Sequence, residues 1–519
     1  MGFFQFLQVF GLAMLTLLIF IYWVSPIRAY ARLRKKGFEG PKPNFPLGNI
    51  EEMRKKEKRD SSFDSVNVTH NIHSTVFPYF ARWRKLHGKV FVYWLGTEPF
   101  LYVADPEFLK QMSSEVMAKN WGKPTVFKYD RKPMFGNGLV MVEGDEWGHH
   151  RSIIAPAFSP ANLKAMANSM VESANEMLDQ WATLIASGEP TIDVERGVVS
   201  TAAEIIAKTA FGINDDNGRK VFEKLRAMQL SLFKSNRLVG VPFSKLMHLK
   251  QTLESRKLGK EIDCLLLSVI TSRKRRSRVG DEQPHKDFLG LLLADDDSEN
   301  INQAEELQGN KKKLTEGQLV DECKTIFFGG HETTALAITW TLLLLGLHPE
   351  WQEQLREEIR EVTGDGDVDP TMLPRLKKMG WVMHEVLRLY PTAPNAQRQA
   401  RGDIRVGHTV IPKGTNIWID IVGLHHDRTI WGDDVNQFRP DRFNDEPNGG
   451  CNHRYGYLPF GFGGRMCVGR NLTMMEYKIV LTLMLRRFSF TLSPEYCHSP
   501  TIMLSLRPNH GLPLVFQTL

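Results

Sequence analysis

The residues best equipped for chemistry lie near the C-terminal end, in Phe460-Gly-Phe-Gly-Gly-Arg-Met-Cys-Val-Gly469. Cys467 stands among small residues just ahead of a helical run over 471–488. A helix N-terminus offers free N–H donors and partial positive charge, which stabilise a thiolate placed there. Gly461, Gly463, Gly464 and Gly469 permit positive φ and let a flat, bulky partner come close to the backbone. Phe460 supplies an apolar wall, and Arg465, two residues before the thiol, a fork for a carboxylate. Together these describe the face of a haem whose iron is held by a cysteine thiolate. A buried structural cysteine in a glycine-rich loop is the plainer reading. A dinucleotide loop is excluded, because G-x-G-x-x-G read from Gly461 meets Met466 where its last glycine belongs.

A second constellation, Gly329-Gly-His-Glu-Thr-Thr334, lies in the middle of a long helical pattern. That pattern opens at the capping box Thr315-Glu-Gly-Gln318 and runs to His348, where Pro349 stops it. Its length as a helix is about 50 Å. Gly329 and Gly330 each cost about 1 kcal/mol in a helix interior, so a cofactor lying against the backbone is expected there. Glu332 and Thr333 pair an acid with a hydroxyl, groups that relay protons and hold water. A zinc motif is excluded, since H-E-x-x-H needs histidine where Ala335 stands. Trp147 and Arg151 fall on one face of a helix beginning at Gly144, while His149 and His150 read as surface residues. Glu385-Val-Leu-Arg388 sets a carboxylate and a guanidinium one turn apart, worth about 0.3–0.5 kcal/mol as an isolated pair.

At these residues the chain resembles the cytochrome P-450 superfamily, whose signature F-x-x-G-x-R-x-C-x-G is matched at Phe460, Gly463, Arg465, Cys467 and Gly469. The resemblance implies haem b with Cys467 as the iron ligand, and propionates reached by Trp147, Arg151 and Arg398. It implies an oxygen-binding groove at Gly329 and Gly330, with Glu332 and Thr333 supplying protons. Glu385 and Arg388 would share a buried structural network with Arg442, from Phe438-Arg-Pro-Asp-Arg-Phe443. Residues 121–138, read as a loop, would cover the distal pocket, and Ala393, Pro394 and Asn395 would face substrate. The implied fold is mainly α with small β-sheets, a single cytochrome P-450 domain behind an N-terminal transmembrane helix. Asp321-Glu-Cys-Lys324, His348-Pro-Glu-Trp351 and residues 147–158 resemble a plant clan. That clan includes cytokinin hydroxylases, gibberellin-pathway oxidases and brassinosteroid-inactivating enzymes, which implies a small lipophilic, isoprenoid-type or hormone-like substrate.

The elements that must position these groups follow from the rest of the chain. Of its 519 residues 42% are hydrophobic and 24% charged, an ordinary globular balance. Five cysteines, odd in number and irregularly spaced, imply no disulfide framework. Residues 3–24 carry no charge and span about 33 Å as a helix, enough to cross a bilayer. No cation precedes the run, and Arg28, Arg32, Arg34, Lys35 and Lys36 follow it. The pattern reads as an uncleaved anchor that leaves the following chain on the cytosolic side. Gly40-Pro-Lys-Pro-Asn-Phe-Pro-Leu-Gly48 is a stiff connector, similar to the hinge that orients this family on the endoplasmic reticulum. The organisation is therefore an anchor at 3–24, a basic and proline-rich hinge at 25–50, and a catalytic domain over 51–519. The expected location is the endoplasmic reticulum membrane, single-pass, with the catalytic domain facing the cytosol.

Periodicity predicts a helix over 79–87, strands at 90–93 and 100–104, and helices across 159–272 with a loop near 212–218. The basic run from Arg273 to Arg278 reads as a solvated helix end, so no nucleic acid partner is expected. Acidic residues at 295–299 and lysines at 311–313 bracket an exposed loop. Alternating strands close the chain at 502–506 and 512–516. Only 52 residues (519 − 467) follow Cys467, too few for a flavin domain, so electrons are expected from a separate NADPH-cytochrome P-450 reductase. A formal net charge of +7 suits an acidic partner. The function expected is a monooxygenase that uses O2 to hydroxylate an unactivated C–H bond. A haem-thiolate isomerase or dehydratase working without reductase, and a non-catalytic membrane haem protein, stay open beside it. The intact group Glu332-Thr333-Thr334 favours the first.

Overall fold

Thr315 opens the helix around which the molecule is built, Glu316–Leu347. Its hydroxyl accepts from the Gln318 N–H, and the Gln318 side chain accepts from the Thr315 N–H. In the computed structural model the described residues are 2–55, 68–115, 120–213, 216–233, 238–279, 287–294, 313–364 and 366–519. The acidic run at 295–299 and positions 311–312 lie outside them. The central helix is apolar on nearly every side, and every position from Thr334 to Leu345 is buried. A helix buried all round needs partners on several faces. Val194–Phe211 runs along it, and Arg470–Arg487 packs between it and Pro160–Ala186.

The main sheet orders its strands Val90–Leu95, Glu98–Val103, Asn416–Asp420, Asn395–Ala400 and Trp121–Gly122. Three of its four pairs are antiparallel, with Phe91 opposite Tyr102, Ala396 opposite Ile419 and Trp121 opposite Ala400. Glu98–Val103 and Asn416–Asp420 run parallel, Phe100 facing Asn416. Asn395–Ala400 and Trp121–Gly122 thus share one edge, with the next helix of the chain, Thr125–Phe135, beside them.

That helix corrects the loop expected over 121–138. Pro133 lies within it and has no N–H to offer the carbonyl of Tyr129 one turn back. The Lys245 ammonium donates to that carbonyl instead, at 2.9 Å. The expected single strand at 502–506 is two, Pro500–Met503 and Ser505–Pro508, because the chain reverses at Leu504 with φ 72°. His150, expected at the surface, is buried against Glu322, Nδ1 standing 2.5 Å from Oε1. Arg273 is likewise buried, paired with Asp287, although Arg275 and Arg276 beyond it are exposed.

The apolar N-terminal run does not end at Val24. Phe3–Lys35 forms one helix of 33 residues, among the described residues the only one long and apolar enough to cross a membrane. Its basic end is therefore helical, and the connector begins after Lys35. Leu33 is buried, and the Tyr30 ring meets Trp94 edge-on at 6.4 Å.

Candidate active site

The loop before Arg470–Arg487 is held by backbone bonds, from the Cys467 N–H to the Phe460 carbonyl at 2.9 Å and from the Met466 N–H to the Gly463 carbonyl at 3.1 Å. Gly461 and Gly463 take φ of 76° and 63°, so glycine is required there. Gly469 keeps φ −85°, and Gly464 is not in the left-handed region either. Neither is held to glycine by crowding: a Cβ at Gly464 would meet Trp147 at 3.5 Å, and one at Gly469 would stand 4.0 Å from the Cys467 sulfur, both ordinary contacts. Enclosure pushes the Cys467 thiol up, while the Gly469 and Arg470 N–H groups and the Arg151 guanidinium pull the other way. The surface Cys467 retains faces a cavity of about 720 Å³ between this loop, the central helix and Asn395–Ala400.

Cations gather at the base of that cavity without carboxylates to match them. The Arg465 guanidinium lies 4.8 Å from the Trp147 ring centre and donates to the Val142 carbonyl at 2.9 Å. Its other terminal nitrogen, Nη2, is buried with no partner, as is Arg398 Nε. Burial pulls both arginines down to about 10. Burial also drives Lys123 well below the usual lysine range, helped by repulsion from Arg398, Arg465 and Arg131. Arg151 donates to the Met466 carbonyl at 2.8 Å, tying its helix to the cysteine loop. Unfilled cationic donors beside a cavity-facing thiol fit haem b, a flat ring bearing two carboxylates. Lys123 joins the expected Trp147, Arg151, Arg398 and Arg465, and its position directly after the edge strand Trp121–Gly122 carried no signal in the sequence.

The central helix presents Thr325, Gly329, Thr333 and Ala337 to the cavity, a stripe at four-residue spacing. A Cβ on Gly329 would meet nothing within 4 Å, whereas one on Gly330 would stand 2.6 Å from Ile206 Cδ1. Gly329 therefore leaves room for a ligand, and Gly330 admits the neighbouring helix. The helix stays regular through both. Thr333 donates to the Gly329 carbonyl at 2.8 Å. Its oxygen keeps its lone pairs for a cavity water.

Glu332 departs from its expected place. One helical step turns it about 100° from Thr333, and it is fully buried. Oε1 accepts from Gln229 at 2.7 Å and from Ser505 at 2.5 Å, with Arg507 at 3.5 Å. Burial alone would raise this carboxyl; Arg507, His331 and these donors outweigh it and hold it below the usual range. Its link to the cavity is Ser505, which lines the wall, and not Thr333. Ala393 and Asn395 line the cavity, but Pro394 does not: it is buried, and its carbonyl accepts from the Ile421 and Val422 N–H groups.

Beneath the site, Arg388 grips Glu385 with two bonds of 2.7 and 2.8 Å. Arg442 adds a third at 3.2 Å and the Arg439 N–H a fourth at 3.0 Å. The remaining Arg388 donors reach the carbonyls of His425, Val435 and Gln437, which fasten the segment preceding the cysteine loop.

A helical domain with small sheets, a cysteine loop capping a helix, and a cation-ringed cavity define a haem-thiolate monooxygenase, and the Cytochrome P450 family model matches residues 65–512. The chain belongs to the cytochrome P450 family and catalyses its O2-dependent monooxygenation. It is 36% identical to Cytochrome P450 734A1 of Arabidopsis thaliana, over 96% of this chain and 94% of that one. A Cytokinin hydroxylase of Arabidopsis thaliana is 36% identical with the same coverage. Cytochrome P450 714C2 of Oryza sativa subsp. japonica is 34% identical over 99% of both chains. These relatives set it in the plant clan that its motifs resemble.

Proposed function

We propose that the protein is a membrane-anchored hydroxylase of a small lipophilic molecule, isoprenoid-type or hormone-like. In this reading electrons come from a separate NADPH-cytochrome P-450 reductase, and the catalytic domain faces the cytosol from the endoplasmic reticulum. The observation that carries it is the lining of the cavity above Cys467, where Phe127, Phe135, Val140, Phe328, Ala337 and Ile502 form apolar walls. Such walls take up an apolar skeleton by excluding water, and a few polar groups fix its orientation. That one relative is a Cytokinin hydroxylase supports a small hormone-like substrate.

Bound haem supplies activation of O2 and insertion of one oxygen atom into a C–H bond. The chain supplies the rest. Cys467 would hold the iron, and Phe460 and Gly469 would help to hold the haem. Trp147, Arg151, Arg398, Arg465 and Lys123 would hold the propionates. Thr333, whose own proton goes to the Gly329 carbonyl, keeps a water in the stripe next to Gly329 through its oxygen lone pairs, and that water presents a proton to the cavity. Glu332 anchors the helix to the C-terminal hairpin and reaches the cavity only through Ser505. Glu385, Arg388 and Arg442 hold the segment under the cysteine loop. The test is NADPH consumption by the purified full chain with reductase, stimulated by lipophilic candidates and matched by a product one oxygen heavier. Product that forms equally without reductase would overturn this reading.

A further inference from the structure

One cation in the cavity is left over once the propionate ligands are assigned. Arg131 lines the large cavity but not the narrower compartment where Trp147, Arg151 and Cys467 meet. Its guanidinium sits 4.5 Å from the Phe127 ring centre and 5.6 Å from that of Phe233. It makes one hydrogen bond, Nη1 to Gln397 Oε1 at 3.1 Å, and Nε is buried without a partner. Among the described residues no carboxylate lies within 4 Å of it; Asp130 acts on it only at longer range. Enclosure lowers Arg131 to about 10, so it remains charged at neutral pH. A cation walled by aromatic rings and short of acceptors is costly unless something else matches it.

The groups around it show what would match. Arginine only donates, so Gln397 must turn its oxygen toward Arg131. Its amide nitrogen then faces Asn395 Oδ1, at 2.7 Å. Asn395 must in turn present its own NH2 group, which lines the cavity with no partner of its own. The chain Arg131–Gln397–Asn395 therefore ends in donors at both sides. Donors around a single positive charge, with apolar walls beyond, select an acceptor-only group carrying one negative charge.

We propose that Arg131, positioned by Gln397 and assisted by Asn395, binds a carboxylate on the substrate and so orients its apolar skeleton over the site. This rests on the lipophilic-substrate reading above and names the polar end of that molecule. The probes are dehydroabietic acid, its methyl ester and the corresponding alcohol, one rigid C20 skeleton differing at a single group. Binding to the haem-loaded full chain in nanodiscs is read by equilibrium dialysis and by the shift in haem absorbance. The acid should bind roughly ten- to a hundredfold tighter than the ester, the range for a charge-assisted bond out of bulk water. Arg131→Gln should remove that preference while leaving ester binding within about threefold, the residual typical of a neutral contact. Arg131→Lys should restore part of it, keeping the charge but not the fork. Asn395→Leu, which leaves Arg131 in place, should weaken the acid alone and serves if Arg131→Gln fails to load haem. Equal binding of acid and ester by the wild type, or equal loss of both in Arg131→Gln, overturns the carboxylate assignment and leaves the lipophilic reading standing. If neither probe binds the wild type, both fall.

Discussion

Adjacent glycines in the central helix should respond oppositely to the same added methyl. A Cβ at Gly330 would stand 2.6 Å from Ile206 Cδ1 and 2.9 Å from its Cγ1, while at Gly329 it meets nothing within 4 Å. Carbon atoms pack at about 3.5–4.0 Å, so Gly330→Ala is short by about 1 Å. Ile206 is 1% exposed and cannot swing its methyl into solvent. Overpacking of this size costs about 1–3 kcal/mol. Replacing glycine by alanine in a helix interior contributes about 1 kcal/mol in favour of folding. Gly330→Ala should therefore lose about 0–2 kcal/mol and Gly329→Ala gain about 1 kcal/mol. Ile206→Val alone should cost about 0.5–1.5 kcal/mol, and less when Gly330→Ala is already present, because it deletes the nearer of the two clashing atoms. Denaturant midpoints of the solubilised haem-loaded protein, followed by circular dichroism, measure all four. Equal midpoints for the two glycine variants, or strict additivity of Gly330→Ala with Ile206→Val, would refute the packing argument. Gly329→Ala should also weaken ligand binding, since its methyl enters the cavity.

Cys467→Ser should abolish the thiolate-type spectrum of the reduced carbon monoxide complex together with activity; a retained band would assign the ligand elsewhere. Thr333→Ala should keep haem loading and substrate binding and still consume NADPH, but divert electrons to hydrogen peroxide. Product formed per NADPH is the measure, and an unchanged ratio rules out proton delivery by Thr333. Burial holds His70 and His425 down to about 3, and His384, His426 and His498 to about 4. The unfolded chain takes up those protons near pH 6.5 and the folded one does not, so stability should fall as pH drops from 6.5 toward 4. A flat denaturant midpoint across that window would contradict it. In sealed microsomes, added protease should digest the catalytic domain and spare residues within the anchor; full protection would reverse the proposed orientation.

What the sequence made legible was whatever rests on short-range spacing. The cysteine signature, the Thr315 cap, the i,i+3 pair Glu385–Arg388 and the uncharged N-terminal run each sit within one turn or one segment. Local chemistry also determines them, so fold class and family follow. Roles that depend on which face meets which neighbour were not legible. Glu332 and Thr333 are adjacent in sequence, yet one helical step sends the carboxylate to Ser505 and Arg507, on a hairpin more than 170 residues away, and leaves the hydroxyl on the cavity. That hairpin exists because Leu504 adopts a positive φ, a conformation leucine rarely takes and no pattern announces. Lys123 and Arg131 looked like ordinary loop cations because Pro124 and Pro133 hid a helix, whose freed carbonyl is satisfied by Lys245 from a distant segment. Both cations then face an enclosed space that only the assembled sheet edge and central helix create.

The same reasoning bears on how Glu332 should be tested. As a proton relay beside Thr333, its neutral replacement Glu332→Gln would lower product per NADPH and leave the fold intact. As the clamp described above, it would leave Arg507 with Glu195 as its remaining carboxylate partner among the described residues and disturb the bonds from Gln229 and Ser505. Removing one member of a buried charged network costs about 3–5 kcal/mol. Glu332→Gln should thus lower the denaturant midpoint and haem retention first, with product per NADPH in the surviving fraction close to the wild-type ratio. A full-strength fold with a collapsed ratio would return Glu332 to the proton path, through Ser505, the one side chain that joins it to the cavity wall.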